Sequence, residues 1–295
     1  MNNNRINTSL MSRTCTLAVM LLIISSAAST VLAVQKMKPA EIVAKHLESI
    51  GTAEARKAIN NRVIVGTSTV AFHNPGKGQA TGQAVMASEG NKVLIGMQFD
   101  NTNYPYEKLG FDGNNFTASF LTPGVRSTLG DFLHTNSFVF KQGLIGGALS
   151  SAWPLLETNL RGAHLEYGGI KKINDREVYQ LRYLSRGGSD LQVSLYFDKE
   201  TFQHVRTEYE QVIAAQLGAN PSGAPTQTQR ETRYKLIEDF SDYKKEGDLM
   251  LPHTYKVTLS LGTRTTTFLA DWTLNLVNFS FNQPMDANSF TVGNS

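Results

Sequence analysis

Apolar residues recur with a period of two over most of this chain and with a helical period in only two places. From residue 62 the segments 62–72, 79–88, 92–100, 106–111 and 116–121 read as strands, separated by Pro75-Gly76, Gly90-Asn91, Pro105 and Asp112-Gly113. The clearest of them sets Val93, Ile95, Met97 and Phe99 on one face, with Lys92, Gly96, Gln98 and Asp100 between them. Strands resume after residue 160. Segments 165–173 and 178–184 form a hairpin about Asn174-Asp175, Leu191, Val193, Leu195 and Phe197 alternate with polar neighbours, and a turn at 198–201 leads into 203–212. Segments 232–243 and 251–261 pair across 245–248. The last strand, from Thr265, places Phe268, Ala270, Trp272, Leu274 and Leu276 on one face, after which Val277, Phe279 and Phe281 continue on the other. That change of phase predicts a bulge at Leu276-Val277. About ten or eleven strands, mostly sequence neighbours joined by short turns, predict a mainly β (α+β) chain built on one curved antiparallel sheet. One face of such a sheet is apolar and needs a cover.

The helical period supplies candidates for that cover. Pro39–Ile50 reads as a helix with Pro39 in its first turn, Ile42, Val43, His46, Leu47 and Ile50 on one face, and Gly51 to end it; a shorter turn follows at 53–59. His46 has no second ligand at helical spacing, so it reads as a core or boundary histidine. The larger candidate is the insert 125–160, where Val125, Leu129, Phe132 and Leu133 share a face. A second run, Phe138, Val139, Phe140, Leu144, Ile145, Leu149 and Trp153, is interrupted by Gly143, Gly146 and Gly147, each costing about 1 kcal/mol of helix propensity relative to alanine. An apolar but loose helical cover is the expectation. The polar stretch 218–229 has no periodicity and is expected to be an exposed loop.

Charge and cysteine content change the picture only once the leader is set aside. Arg5 and Arg13 sit in an acid-free start, Leu17 to Ile24 form an apolar core, and Val31-Leu32-Ala33 matches a signal-peptidase site, so cleavage is expected after Ala33. The apolar run is shorter than the roughly 20 residues of a spanning helix, which favours export over anchorage. Residues 1–33 take with them two of the 28 basic residues and none of the 25 acidic ones, leaving 34–295 nearly neutral, expected as a single domain. A neutral chain has no electrostatic footprint for nucleic acid. The one cysteine, Cys15, lies in the leader, so neither a disulfide nor a thiol mechanism is expected after cleavage.

Candidate chemistry is sparse. His46, His73, His134, His164, His204 and His253 are scattered without metal-ligand spacing. Ser150-Ser151 and Ser189 lack a nucleophile-elbow context, and the glycines at 143–147 lack the lysine of a phosphate loop. Carboxylate pairs such as Glu208 and Glu210, or Asp239 and Asp242, are easy to find; Glu208 and Glu210 share one strand face, alternating with Tyr209, and read as solvated outer face. No motif supports an enzyme, a metal site or a cofactor.

The order of elements, leader, helix, strand meander, helical insert and second strand meander, resembles the periplasmic lipoprotein carriers of the LolA and LolB superfamily. Local stretches add to this: residues 82–99 followed by Gly110-Phe111-Asp112-Gly113-Asn114-Asn115-Phe116, then Tyr196-Phe197-Asp198-Lys199-Glu200-Thr201, Asp242-Tyr243 through Gly247 to Leu251-Pro252, and Asn282-Gln283-Pro284 with Phe290. The resemblance spans most of 34–295 through short, degenerate matches. It implies a strongly curved, unclosed half-barrel with helices covering the concave face and a hydrophobic cavity for acyl chains. The family's arginine-proline latch pair has no counterpart, since the comparable region reads Ser88-Glu89-Gly90-Asn91-Lys92, where Lys92 or Glu89 is the available substitute.

The expected function is therefore an exported, non-enzymatic carrier of lipoprotein acyl chains or a related lipid, monomeric, meeting a membrane donor and acceptor. Val93, Ile95, Met97, Phe99, Leu195, Phe197, Trp272 and Leu274 would line the walls. Leu129, Phe132, Leu133, Phe138, Leu144, Ile145 and Trp153 would gate them. The bland alternative is that these insert residues fill the concavity themselves, as apolar helix faces usually do. Competing functions are a lipid or lipoprotein sensor of the same fold, and an envelope hydrolase.

Overall fold

The computed structural model describes residues 37–157, 160–214, 216–219, 225–229, 231–262 and 267–293. The expected leader lies outside them. Strands β1 (Asn61–Asn74), β2 (Gly78–Glu89), β3 (Lys92–Phe99), β4 (Tyr106–Phe111) and β5 (Phe116–Ala118) form the first meander. The second consists of β6 (His164–Ile173), β7 (Arg176–Leu184), β8 (Gln192–Asp198), β9 (His204–Ile213), β12 (Thr232–Glu246), β13 (Leu249–Gly262) and β14 (Thr267–Phe281). All twelve join in one antiparallel sheet of order β5-β4-β3-β2-β1-β14-β13-β12-β9-β8-β7-β6. The sheet is curved and unclosed, the arrangement of an open half-barrel. Twelve is more than the ten or eleven expected, although each of the twelve overlaps a segment read as strand, 116–121 for β5 included.

This order has one topological consequence on which the rest depends. The chain leaves the sheet at β5, one free edge, and re-enters it at β6, the other. Residues 119–163, which contain the insert, are therefore a strap running from edge to edge.

The strand chemistry matches the pattern in detail. Asn174 and Asp175 both have positive φ, 46° and 65°, as a two-residue type I′ hairpin turn requires. The 245–248 turn is tighter than expected: β12 runs to Glu246 and β13 starts at Leu249, leaving Gly247 (φ 58°) and Asp248 to turn the chain. The expected bulge is present. Gly66 pairs with Leu276 and Val65 with Asn278, so Val277 is the extra residue and is 63% exposed. Its effect corrects the simple reading of the phase change: Phe279 and Phe281 return to the inner face, opposite Ile64 and Arg62. A Cβ on Gly66 would lie 2.0 Å from the Asn275 carbonyl oxygen, so only glycine lets β14 approach here.

Two expectations fail. Within 218–229, where an exposed loop is expected, described residues of β10 (Gln216–Ala219) pair with β11 (Pro225–Gln229) as a small ribbon. It is a two-stranded sheet of its own, and the alternating threonines of the β11 sequence favour strand. Val125 is not on the helix face: it turns the chain through a bridge with Thr122 and is 57% exposed.

Helices are few: α1 (Pro39–Ile50), α2 (Ala53–Lys57), α3 (Thr128–Thr135) and α4 (Phe138–Lys141). α1 buries Ile42, His46 and Ile50. α3 begins after Ser127, whose Oγ accepts from the Gly130 N–H at 2.8 Å. Among the described residues no helix is long and apolar enough to cross a membrane.

The close approach at the bulge yields a stability test. Gly66→Ala should cost on the order of 3 kcal/mol in urea unfolding, because a backbone carbonyl must move. Gly78→Ala, at a position with nothing within 4 Å, should change it by less than about 0.5 kcal/mol.

Candidate functional site

The inner face of the sheet and the strap together form the candidate site. On β3, Val93, Ile95, Met97 and Phe99 alternate inward and are 5% exposed or less. Leu195 and Phe197 of β8, with Trp272 and Leu274 of β14, are buried likewise. From the strap, Leu129, Phe132, Leu133, Leu144, Ile145 and Trp153 are all buried. Phe138 differs. It is half-buried and lines an outer groove with Leu184, Leu191 and Val193 at the β7–β8 side.

Only some of these side chains meet. Ile95, Met97, Leu129, Leu133, Ile145 and Leu274 surround one small apolar void, together with Leu109, Leu236, Tyr255 and Val257, which the alternation also marks as inward. Its volume is about 20 Å³, room for about one water molecule. Trp153 and Phe197 belong to a second cluster: Trp153 stacks on His204 at 4.8 Å, and Phe197 lies 4.9 Å from the His46 ring. Phe99 packs on Tyr104 at 5.4 Å, and Phe132 stacks on Tyr234 at 5.6 Å. The strap residues fill the inner face themselves, as the bland alternative expects.

The strap is short of helix but tightly fitted. α4 stops at Lys141, and the expected weak second helix is replaced by turns at Gly143 (φ 70°), Gly146 (φ 80°) and Gly147 (φ 48°), followed by short 3-10 segments. These glycines serve fit, not looseness. A Cβ on Gly143 would lie 1.9 Å from the Ala152 carbonyl oxygen, and one on Gly147 would lie 2.7 Å from His204 Nδ1.

Discrete polar contacts fasten the strap to the sheet. Glu238 of β12, fully buried, accepts from the Gly146 N–H at 2.8 Å and from the hydroxyls of Tyr209 and Tyr255 at 2.6 and 2.5 Å. Glu107 of β4 accepts from the Tyr104 hydroxyl at 2.5 Å and is hydrogen-bonded to Ser127, the residue that caps α3. Burial pushes both carboxyl groups up to about 7. Arg62 of β1 donates to the Ala148 carbonyl, and burial lowers its guanidinium to about 10. The Trp153 Nε1–H donates to His46 Nε2 at 3.2 Å, while His46 Nδ1 lies 3.1 Å from the Phe202 carbonyl. That pairing fits a neutral imidazole protonated at Nδ1, and burial holds His46 down at about 4.

The 88–92 stretch also takes part, although not through the expected side chains. Lys92 and Glu89 pair with each other at 3.1 Å. Ser88 Oγ instead accepts from the Ser151 N–H at 2.9 Å, and the Gly90 carbonyl accepts from the Ser151 hydroxyl at 3.2 Å.

Glu107, Glu238 and Arg62 escaped the sequence reading, although a signal existed. Each occupies the inward phase of its strand, as in Leu236-Glu238-Phe240 and Glu107-Leu109-Phe111, where a charge is costly unless it is partnered. The carboxylates that were noticed lie outside: Arg206 pairs with Asp239 at 2.6 Å and Glu208 at 3.2 Å, and Lys235 with Glu210 at 2.7 Å. Among the described residues no group of three or more histidine, aspartate or glutamate side chains is placed to hold a metal ion.

No family model matches the chain, and no curated protein does. Solved structures do. The chain is similar to a LolA superfamily protein from Nitrosomonas europaea, with 12% identity, a TM-score of 0.45, and coverage of 87% of this chain and 98% of that one. It is also similar to a DUF1329 family protein from Desulfovibrio piger, with 8% identity, a TM-score of 0.42, and 84% and 95% coverage. A third is a domain from Vibrio parahaemolyticus described as outer membrane lipoprotein-sorting, with 13% identity, a TM-score of 0.38, and 84% and 97% coverage.

The glycine geometry separates a fitted strap from a loose helix. In a loose helix Gly143→Ala would stabilise by about 1 kcal/mol. Here it should destabilise by on the order of 3 kcal/mol, measured by thermal and urea unfolding.

Proposed function

We propose that the protein is an exported carrier that takes an acyl chain, from a lipoprotein or a related lipid, into the apolar space that opens when the strap leaves the sheet. One observation carries this reading. The strap covers the inner face through side chains and a few polar hooks, and among its described residues only Ser119, at its root, gives a backbone-to-backbone hydrogen bond to a strand, from its N–H to the Lys108 carbonyl at 2.9 Å. Beyond Ser119 the strap can therefore leave without breaking a hydrogen bond between strands. What it leaves exposed is a wall of Ile95, Met97, Leu109, Leu236, Val257 and Leu274, lined as an acyl chain requires.

The energetics support an exchange of one cover for another. Each methylene taken from water contributes about 0.8 kcal/mol, so a chain of roughly 15 methylenes gains on the order of 10 kcal/mol before ordering costs. That gain offsets the loss of strap contacts at Leu129, Leu133 and Ile145. Without a guest the strap closes again, which supplies a release step. Export follows from the leader, and the partners this reading implies are a membrane donor and a membrane acceptor, met by a monomer; no cofactor and no catalytic residue are assigned.

A reversible pin on the strap tests the reading. Ser88→Cys with Ser151→Cys joins β2 to the strap where the two residues are already hydrogen-bonded. Uptake of a fluorescent fatty-acyl probe should be normal in the reduced protein and lost on oxidation, and should return with reductant. Equal uptake in both states, or none in either, would remove the carrier from consideration.

A further inference from the structure

Two carboxyl groups lie fully buried under the strap, and among the described residues neither stands in an ion pair. Glu107 is met by Tyr104 and Ser127, with Asp131 of α3 nearby and Arg126 of the strap held to Asp131 at 4.0 Å. Glu238 is met by Tyr209 from β9, Tyr255 from β13 and the Gly146 N–H from the strap, with Asp239 beside it. Arg62, which reaches the same part of the strap from β1, gives its hydrogen bond to the Ala148 carbonyl. Closing the strap thus takes each carboxyl group out of water and supplies hydrogen-bond donors but no ion-pair partner. Opening returns both to solvent. A proton is held more tightly in the closed form than in the open one.

We propose that the strap closes with uptake of protons at Glu107 and Glu238, so that rising pH favours its release. The inference rests on the carrier reading only in taking the strap as the part that moves. Each proton has a place to go. A protonated Glu238 donates to a phenol oxygen, and Tyr209 in turn is hydrogen-bonded to Thr207, whose Oγ1 lies 3.0 Å from His204 Nε2. A protonated Glu107 donates to the Tyr104 oxygen, which also accepts from Trp272 Nε1–H at 2.9 Å, while Tyr104 is hydrogen-bonded to Ser127. The tyrosines stay neutral, because burial raises all three well above their ordinary value.

The sign runs one way for the acids and the other for the imidazoles. Both glutamates titrate near 7 in the closed form against 4.5 in water, so their stabilising effect is fully present below 4.5 and is lost as pH rises through 7. His46 and His204 also face the strap, and burial lowers both. They favour opening only below about 6.5, where a released imidazole takes up a proton. Comparing wild type with a glutamate variant cancels their effect.

Hydrogen exchange reads strap opening with no lipid present. The amide of Ser151, bonded across to Ser88 Oγ of β2 at 2.9 Å, reports on it in the full-length mature chain. The opening constant of wild type divided by that of Glu107→Gln, or of Glu238→Gln, should rise about tenfold between pH 6 and pH 8, once intrinsic exchange rates are removed. A flat ratio overturns the proposal. If Glu238→Gln does not fold, Tyr255→Phe takes its place; loss of one donor to the carboxylate should move the midpoint of the profile to higher pH, and an unmoved midpoint counts against proton coupling. The two readings fail separately. A rising ratio without acyl uptake removes the carrier alone, and disulfide-sensitive uptake with a flat ratio removes proton coupling alone.

Discussion

A sheet that curves without closing cannot cover its own apolar face, and this one is covered by the very segment that joins its two free edges. Because the chain leaves at β5 and returns at β6, the cover is tethered at both ends, and neither tether lies within the sheet interior. The two meanders on either side meet where β1 pairs with β14, along a ladder bent by the Val277 bulge. The bulge keeps Phe279 and Phe281 on the covered side, so curvature and burial depend on the same extra residue. Side-chain packing holds the cover on, whereas backbone pairing holds the sheet together. This division makes a closed, filled core compatible with a part that moves.

The hooks between strap and sheet are of an unusual kind for a core. Glu107, Glu238 and Arg62 are ionisable groups more than nine-tenths buried, each used to grip the strap's backbone or the cap of its first helix. Well-packed apolar residues would serve stability as well or better, because burying charge carries a desolvation cost that hydrogen bonds only partly return. The polar choice brings a different property. Apolar contacts lose little when a hydrocarbon replaces one partner, but a buried carboxyl group is sensitive to whether its tyrosines and the Gly146 N–H are all in place. The polar contacts thus specify one arrangement of the strap, while the apolar contacts beneath supply burial.

Much of this was legible in the residue pattern, for identifiable reasons. Strong alternation, as in Val93-Ile95-Met97-Phe99, marks both strand and inner face, and the phase change near Leu276 marks the bulge. α1 was readable from Pro39, its apolar stripe and Gly51. The strap was not readable beyond its first helix: a glycine that lowers helix propensity and a glycine that turns at positive φ beside a carbonyl look alike in sequence, so 143–147 read as loose where it is fitted. Glu107, Glu238 and Arg62 stood in apolar phase and were passed over, because motif searching looks for charges near one another in sequence and these meet the strap from three separate strands. Burial of the wall residues could be foreseen. How little space they leave could not, since packing density is fixed only by the tertiary fit.

The central claim is that the face under the strap, and not some outer groove, accepts the guest. Photo-crosslinking with an acyl chain bearing a carbene precursor, followed by peptide mapping, tests it most directly. Adducts on Ile95, Leu109, Leu236, Val257 and Leu274 are the expected result. Adducts confined to outward residues such as Val65, Val85 and Leu94, which line a separate groove beside the C-terminal segment, would contradict it.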